Sequence, residues 1–199
     1  MKQRRISNSP LMDPSVCALV VIAPAPQDAA LADPILRDDH QRASGAVIKA
    51  AAIMDVPAFV LSRNAQEQEV AQIASVRGTS PHRQFAFEEN GSPWSHRGFV
   101  DALTAEDRSI LILAGFWLEH QILATALHAL AESYDVCVLL DATPARCPHA
   151  AQPARERLNQ AGATPVVTSQ VIHEWIIEAP DAAKQVALNS LLSDLMQVG

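Results

Sequence analysis

Apolar residues along this chain are grouped into short runs, and longer stretches with helical spacing separate the runs. Within the runs, apolar and polar residues do not alternate, which is typical of strands buried on both faces of a parallel sheet. The runs therefore predict six strands. They are CALVVIA (17–23), AFVLS (58–62), QFAFE (84–88), SILILAG (109–115), DVCVLLD (135–141) and TPVVTS (164–169).

The stretches between these strands favour helices. They are HQRASGAVIKAAAIM (40–54), a polar segment around Gln66 to Ala74, HRGFVDALT (96–104), WLEHQILATALHALAES (117–133) and HAAQPARERLNQAG (149–162). Gly162 stands where a C-cap glycine would end the fifth helix. A last amphipathic helix, about Ala182 to Met196, has no strand after it. It suits either the surface of another subunit or an edge of its own sheet.

The alternation of strands and helices predicts right-handed βαβ units. The expected fold class is a three-layer α/β/α domain, Rossmann-like, with a mainly parallel six-stranded sheet. We expect the domain to span 16–180, after an extended or disordered leader (1–15) and before the C-terminal helix (181–199). In such domains ligands bind outside the carboxyl ends of the strands, where strand order reverses. The residues directly after each strand are therefore the candidates for a site.

Composition narrows the class of protein further. A chain of 199 residues with 49% hydrophobic and 19% charged residues fits one globular domain. Its apolar runs are too short to span a bilayer, and its basic N-terminus lacks the apolar stretch of a signal peptide. The net charge of −7 argues against nucleic-acid or anionic-membrane partners. Three cysteines without CxxC spacing favour a reduced, cytoplasmic protein.

The segment AGFWLEHQILATAL (114–127) has the form of a catalytic element, because an apolar strand runs directly into a helix. Many α/β hydrolases mount their nucleophile at such a turn. This turn contains no Cys, Ser or Lys. Its first helical residues offer only Glu119, His120 and Gln121 as reactive or polar groups.

Four segments in matching order resemble the isochorismatase-like superfamily of cysteine hydrolases, especially its branch of oligomeric bacterial hydrolases. The longest segment is similar to the family's A-G-x-x-T-E-x-C-V turn and its following D-A strand. The others are similar to the first strand, the N-A-W-D-x-x-x-F segment and the closing R-x-x-x-A-G-A-x-x-x-T segment. The four are SILILAGFWLEHQILATALHALAESYDVCVLLDAT (109–143), CALVVIAPAPQ (17–27), NGSPWSHRGFVDAL (90–103) and RERLNQAGATPVVTSQVIHEW (155–175). The resemblance implies the same fold and a homo-oligomer.

The resemblance also implies where the family's Asp, Lys and Cys should stand. The Asp position falls on Ala23, the Lys position near Glu88, and the Cys position on Gln121. The only lysines are Lys2, Lys49 and Lys184, so no shift of the alignment between the last two supplies the missing amine. Loss of the nucleophile from a hydrolytic triad lowers turnover on the order of 10⁶-fold, or about 8 kcal/mol.

These substitutions predict a pseudoenzyme that binds a small molecule or acts as an oligomeric subunit. The alternative is an active hydrolase of a small amide, ester or vinyl ether, with a site rebuilt around Glu88, His120 and Gln121. A third possibility is a structural subunit that joins an active homologue. An enzyme requires titratable groups that converge in one pocket, whereas a structural subunit requires a collapsed pocket.

Further residues near the expected pocket have alternative roles. The resemblance places Trp94, Trp117, Leu118, Glu119 and His120 along the pocket, with a non-proline cis peptide at about Trp117–Leu118. The two indoles would form a flat apolar binding site, or fill vacated space, or pack in a subunit interface.

Three other side chains complete the candidates. His120 would act as a general base or face solvent. Asp141 would serve chemistry or cap the next loop, and Cys147 would approach the pocket mouth or be incidental.

No metal or cofactor is expected. Nicotinamidase-type relatives hold a metal through D-x-H-x-H after the second strand, and the corresponding LSRNAQEQEVAQ here contains no histidine. The histidines elsewhere in the chain do not have the spacing of a metal-binding motif.

Overall fold

The six apolar runs form the six strands of one sheet in the computed structural model, which describes residues 9–24, 34–63, 83–88 and 91–197. The predicted segment Gln66 to Ala74 and residues 1–8 of the predicted leader lie outside these ranges. All paired strands are parallel, in the order β3-β2-β1-β4-β5-β6. Their bounds are β1 Cys17–Ile22, β2 Ala58–Arg63, β3 Arg83–Phe87, β4 Ile110–Gly115, β5 Asp135–Leu139 and β6 Thr164–Val166.

Helices of the described residues cover both faces of this sheet. The helix after β4 opens with a π-helical turn, Leu118–Ile122. The α-helices are α1 Pro34–Ile53, α2 Arg97–Ala105, α3 Leu123–Ala131, α4 Pro148–Ala161, α5 Thr168–Glu178 and α6 Ala182–Met196. None of the described helices is both long enough and apolar enough to cross a membrane. The three-layer α/β/α fold predicted from the sequence is confirmed.

Strand β1 shows why its sequence is apolar at every position. Leu19 and Val21 belong to a core that includes residues of α1, α5 and α6, such as Val47, Trp175 and Leu188. Ala18, Val20 and Ile22 belong to a second core, on the face covered by α2, α3 and α4. Because successive strand residues point to opposite faces, a strand between two helical layers buries them all.

One predicted element end agrees with the structure, and another differs from it. Gly162 ends α4 with φ +97°, so the predicted C-cap glycine is confirmed. Strand β6 is shorter than predicted, because the chain turns into α5 at Thr168. There the backbone N–H of Thr168 donates to the Asp141 carboxylate at 3.0 Å. A carboxylate at a helix N-terminus is favourable for both hydrogen bonding and the helix dipole.

The two ends of the domain are held to the same helical layer. The C-terminal helix α6 buries Leu188 in the core it shares with α1 and α5, and Lys184 pairs with Asp55 at 2.6 Å. At the other end, Ser9 donates to Glu178 at 2.6 Å, and the backbone N–H of Met12 donates to Glu174 at 2.7 Å. The described part of the predicted leader therefore docks on α5.

The reversal of strand order falls between β1 and β4. From β1 the chain continues to β2 and β3 on one side, and then crosses to β4, β5 and β6 on the other. The register pairs Ile22 of β1 with Gly115 of β4, so the two strands end at the same level. Open α/β sheets commonly bind ligands at the point where strand order reverses.

Candidate functional site

The chain leaves β4 through Gly115, which has a left-handed φ of +115°. The next N–H, of Phe116, donates to the carbonyl of Ile22 at 3.1 Å and so continues the contact between β4 and β1. A non-proline cis peptide follows at Phe116–Trp117. The predicted position of this bond, Trp117–Leu118, was therefore wrong by one residue, because only the strand end and not the peptide geometry could be located from sequence.

A π-helical turn at Leu118–Ile122 carries the residues singled out in the sequence. The Trp117 carbonyl accepts from His120 N at 3.1 Å and from Ile122 N at 3.2 Å. A separation of five residues defines a π turn, and such turns are frequent at functional sites. The helical spacing of apolar residues does not distinguish a π turn from an α-helix, so the π turn could not be predicted from the sequence.

The π turn is fastened to the loop that follows β5. Leu118 N donates to the Pro144 carbonyl at 2.9 Å, and Arg146 N donates to Oε1 of Glu119, also at 2.9 Å. The other carboxylate oxygen of Glu119 is buried and has no hydrogen-bond partner within the described residues. With this contact from Arg146, Glu119 positions the loop after β5 against the π turn.

The three positions implied by the family triad all lie at the carboxyl edge of the sheet. Ala23 is 3% exposed and directly follows β1, with its N–H on the Leu61 carbonyl at 2.7 Å. Gln121 is half-buried in the π turn that follows β4. Glu88 is exposed at the end of β3, two strands from β1 and hence about 10 Å across the sheet. Neither Ala23 nor Gln121 carries a group that titrates.

The aromatic residues expected along the pocket make packing contacts. The ring of Trp94 stacks on His128 at a centroid distance of 6.4 Å and meets Phe99 and Tyr134 edge-on at 5.9 and 6.1 Å. Phe99 belongs to α2 and His128 to α3, and Tyr134 follows α3. Packing against these residues accounts for the half-buried indole, and a pocket-lining role for Trp94 stays a prediction.

The other expected pocket residues differ in their access to solvent. Trp117 is 2% exposed, with its ring 5.1 Å from that of Phe116, and Leu118 is fully buried in the second core. His120 is exposed and Glu119 is half-buried. In this turn, solvent therefore reaches His120 more readily than Trp117 or Leu118.

Asp141 links three elements near the same edge. Its carboxylate accepts from both the N–H and the Oγ1 of Thr168, at 3.0 Å each. Its backbone carbonyl lies 2.5 Å from Nδ1 of His40 on α1. These bonds cap the start of α5, 27 residues further along the chain, and not the loop directly after Asp141, where capping was predicted.

The three thiols have different environments. Cys17 and Cys137 lie inside β1 and β5, and burial raises the pKa of both, to about 12 for Cys137. Nearby Asp135 adds to the shift in the pKa of Cys137. Cys147 is half-exposed in the loop after β5, and its Sγ lies 3.4 Å from Nε2 of His149. No group of three or more His, Cys, Asp or Glu side chains suited to a metal occurs within residues 9–24, 34–63, 83–88 and 91–197.

The arrangement is that of an α/β domain with a parallel sheet, in which Ala23 and Gln121 follow the two strands of the switch point, β1 and β4. The family model for the isochorismatase domain matches residues 43–170. The chain therefore belongs to the isochorismatase family.

Solved structures of other proteins have a similar fold. YcaC of Escherichia coli, described as an octameric hydrolase of unknown specificity, is 21% identical, with 97% of this chain and 96% of that chain covered and a TM-score of 0.77. YcaC of Pseudomonas aeruginosa, solved with hexane-2,5-diol and covalent acrylamide, is 20% identical, with 98% of each chain covered and a TM-score of 0.77. MAR1 ribonuclease of Caenorhabditis elegans is 19% identical, with 91% of each chain covered and a TM-score of 0.78. Among curated protein sequences, none matches this chain.

Proposed function

We propose that this protein is an isochorismatase-family homologue that lacks the family's cysteine chemistry and binds a small molecule at the switch point. The observation that carries the proposal is the place of Gln121. It lies in the π turn directly after the switch-point strand β4, where the resemblance puts the nucleophile. A carboxamide there leaves the turn without a thiol.

The chemistry of the neighbouring positions supports this proposal. An amide nitrogen is not a nucleophile at neutral pH, because its lone pair is delocalised into the carbonyl. Ala23 offers no atom that could accept a proton at the end of β1, and Glu88 offers a negative charge in the place of a lysine. A thioester mechanism requires a thiolate and a proton acceptor.

A binding role fits what the turn retains. The hydrogen bonds from Leu118 to Pro144 and from Arg146 to Glu119 hold the turn in place, so its shape does not depend on a catalytic group. Gln121 supplies both a donor and an acceptor to a bound molecule. The similar YcaC of Pseudomonas aeruginosa was solved with a small diol and an acrylamide adduct. Small neutral polar molecules are therefore the first ligands to test.

The test compares the wild type with a variant in which the triad is restored, Ala23→Asp/Glu88→Lys/Gln121→Cys. Both are assayed on a panel of small amides, esters and vinyl ethers, and both are screened by thermal shift against small diols and amides. For the wild type we expect no turnover above that of buffer and a ligand-dependent rise in Tm. A further variant, Gln121→Leu, should lose that rise in Tm. The restored variant should gain acrylamide adducts at position 121.

Two outcomes would contradict the proposal. Wild-type turnover that disappears in His120→Ala or Gln121→Ala would establish the alternative, a hydrolase with a rebuilt site. Thr104→Ala, on the exposed surface of α2, is the matched control and should leave any turnover or binding unchanged. Absence of any ligand-dependent shift across the panel would favour a structural subunit.

Assembly into a homo-oligomer is a second part of this proposal. The similar YcaC of Escherichia coli is described as octameric. Three large apolar side chains of α5 and α6 are exposed in the single chain: Ile177 at 56%, and Val186 and Met196 at 69% each. Light scattering coupled to size-exclusion chromatography should give a molecular mass of several subunits. The double variant Val186→Lys/Met196→Lys should have a lower molecular mass. A monomeric wild type would refute this part.

A further inference from the structure

Cys147 and His149 form a side-chain pair that lies outside the segments resembling the family. Sγ of Cys147 lies 3.4 Å from Nε2 of His149. Cys147 is half-exposed and His149 exposed, so solvent and small reagents reach both. In the tautomer with its proton on Nδ1, Nε2 is free to accept the thiol proton. A thiol beside a proton-accepting imidazole is the minimal arrangement for a nucleophilic cysteine.

The position of the pair in the fold adds to this. Cys147 is the N-cap residue of α4, a helix of 14 residues, and its side chain makes no capping hydrogen bond. The positive end of the helix dipole favours a negative charge at this position. The preceding residue, Arg146, is fixed by its N–H contact to Glu119, which holds the thiol's loop against the π turn.

The other two thiols are unreactive by comparison. Cys17 is fully buried and Cys137 is 9% exposed. Burial raises the pKa of Cys17 and Cys137, so both remain protonated thiols at neutral pH. Because the thiolate is the reactive species, oxidation or alkylation of the folded protein should be confined to Cys147 among the chain's three cysteines.

We propose that Cys147 and His149 form a thiol oxidation site for small hydroperoxides, separate from the proposed ligand site at the switch point. The thiol proton passes to Nε2 of His149, and sulfur attacks the distal peroxide oxygen. An S–O bond forms and the O–O bond breaks, and the leaving oxygen takes the proton back from His149. Sulfur is oxidised to sulfenic acid, while the hydroperoxide is reduced to an alcohol, or hydrogen peroxide to water.

Hydroperoxides are the class that the two groups suit. Their cleavage requires only a nucleophile and a proton for the leaving oxygen, whereas acyl transfer also requires donors for an oxyanion. Cys17 and Cys137 are held inside strands, so neither is placed to resolve the sulfenic acid as an internal disulfide. The product should therefore persist until a small thiol or a trapping reagent reacts with it.

The experiment treats the full chain with hydrogen peroxide at pH 7 and traps sulfenic acid with dimedone, with each cysteine followed by peptide mass spectrometry. Parallel alkylation with iodoacetamide measures nucleophilicity in the folded protein and in urea. We expect dimedone adducts at Cys147 at least tenfold more abundant than at Cys17 or Cys137. Alkylation of Cys147 should be several-fold faster in the folded chain than in urea.

The variants assign the effect to the pair. His149→Gln should lower the alkylation rate of Cys147 to its value in urea, and should lower the amount of dimedone adduct at Cys147. The matched control His173→Gln changes an exposed histidine of α5 and should alter neither quantity. Circular dichroism establishes that each variant is folded, and His149→Asn replaces His149→Gln if the latter is not. Equal rates in wild type and the His149 variant, or enhanced alkylation without a dimedone adduct, would overturn the proposal. Failure of this proposal is distinguishable from failure of the proposed ligand site, because the ligand site is tested by thermal shift and turnover and not by the chemistry of Cys147.

Discussion

Gly115 and Ile22 approach so closely that no side chain fits between them. A Cβ built on Gly115 would lie 2.0 Å from the carbonyl oxygen of Ile22, far inside van der Waals contact. The backbone of Gly115 also has φ +115°, which L residues rarely adopt. The close approach lets the N–H of Phe116 reach the same carbonyl and sets where the chain enters the π turn.

Gly115→Ala should destabilise the protein by more than about 3 kcal/mol, because the clash with Ile22 adds to the left-handed backbone strain. Gly162→Ala is the matched control. Its φ is +97°, but a Cβ there would meet no atom within 4 Å, so we expect only the backbone cost of about 1–2 kcal/mol. Urea unfolding measures both. Equal losses of stability would show that the contact with Ile22 does not decide the effect.

Glu119→Ala should cost about 1–2 kcal/mol, because the N–H of Arg146 loses a charged acceptor. Hydrogen exchange at the Arg146 amide should also become faster, since the loop is no longer fastened to the π turn. The control is Glu156→Ala, which removes an exposed carboxylate that accepts a hydrogen bond from Gln152 at 2.9 Å. That change should stay within about 0.5 kcal/mol. Unaltered exchange at Arg146 in Glu119→Ala would refute the positioning role.

Asp141→Ala should cost about 2 kcal/mol, because both the N–H and the hydroxyl of Thr168 lose their acceptor at a partly buried helix start. Asp181→Ala removes a single exposed capping bond, to Lys184 N at 2.8 Å, and should cost about half as much. Thermal and urea unfolding of the two variants give the comparison. A smaller loss for Asp141→Ala than for Asp181→Ala would contradict the capping role.

Stability should fall as the pH rises above about 9. Unfolded thiols titrate near 8.5, whereas burial raises the native pKa of Cys137 to about 12 and also raises that of Cys17. Above the unfolded value the unfolded chain binds fewer protons than the native one, so each thiol lowers the free energy of unfolding by about 1.4 kcal/mol per pH unit. Below about pH 8 the difference vanishes and the full stability is present.

The measurement is urea unfolding at pH 7, 8.5 and 10. Between pH 8.5 and 10 the wild type should lose about 3 kcal/mol more than Cys17→Ala/Cys137→Ala. Cys147→Ala, which removes the half-exposed thiol, should keep the wild-type loss. An identical pH dependence in the wild type and the double variant would show that the buried thiols do not govern alkaline stability.

The sequence by itself determined the layers and strands of this protein. Runs such as 17–22 and 110–115 are apolar at nearly every position, and only a strand between two helical layers buries both of its faces. The role of Gly162 at a helix end could also be predicted from the sequence, because that role depends on the local backbone alone. The motif order placed Gln121 on the turn after β4 for the same reason, since motif and turn are both local in sequence.

The tertiary structure decided what the candidate side chains touch. The contacts of Glu119 with Arg146 and of Asp141 with Thr168 each join residues 27 positions apart, and their formation depends on how two loops meet at the sheet edge. The packing of Trp94 against His128 depends likewise on how α3 lies on the sheet. Periodicity records which face of an element is buried, but the partner across that face is set only when the layers pack.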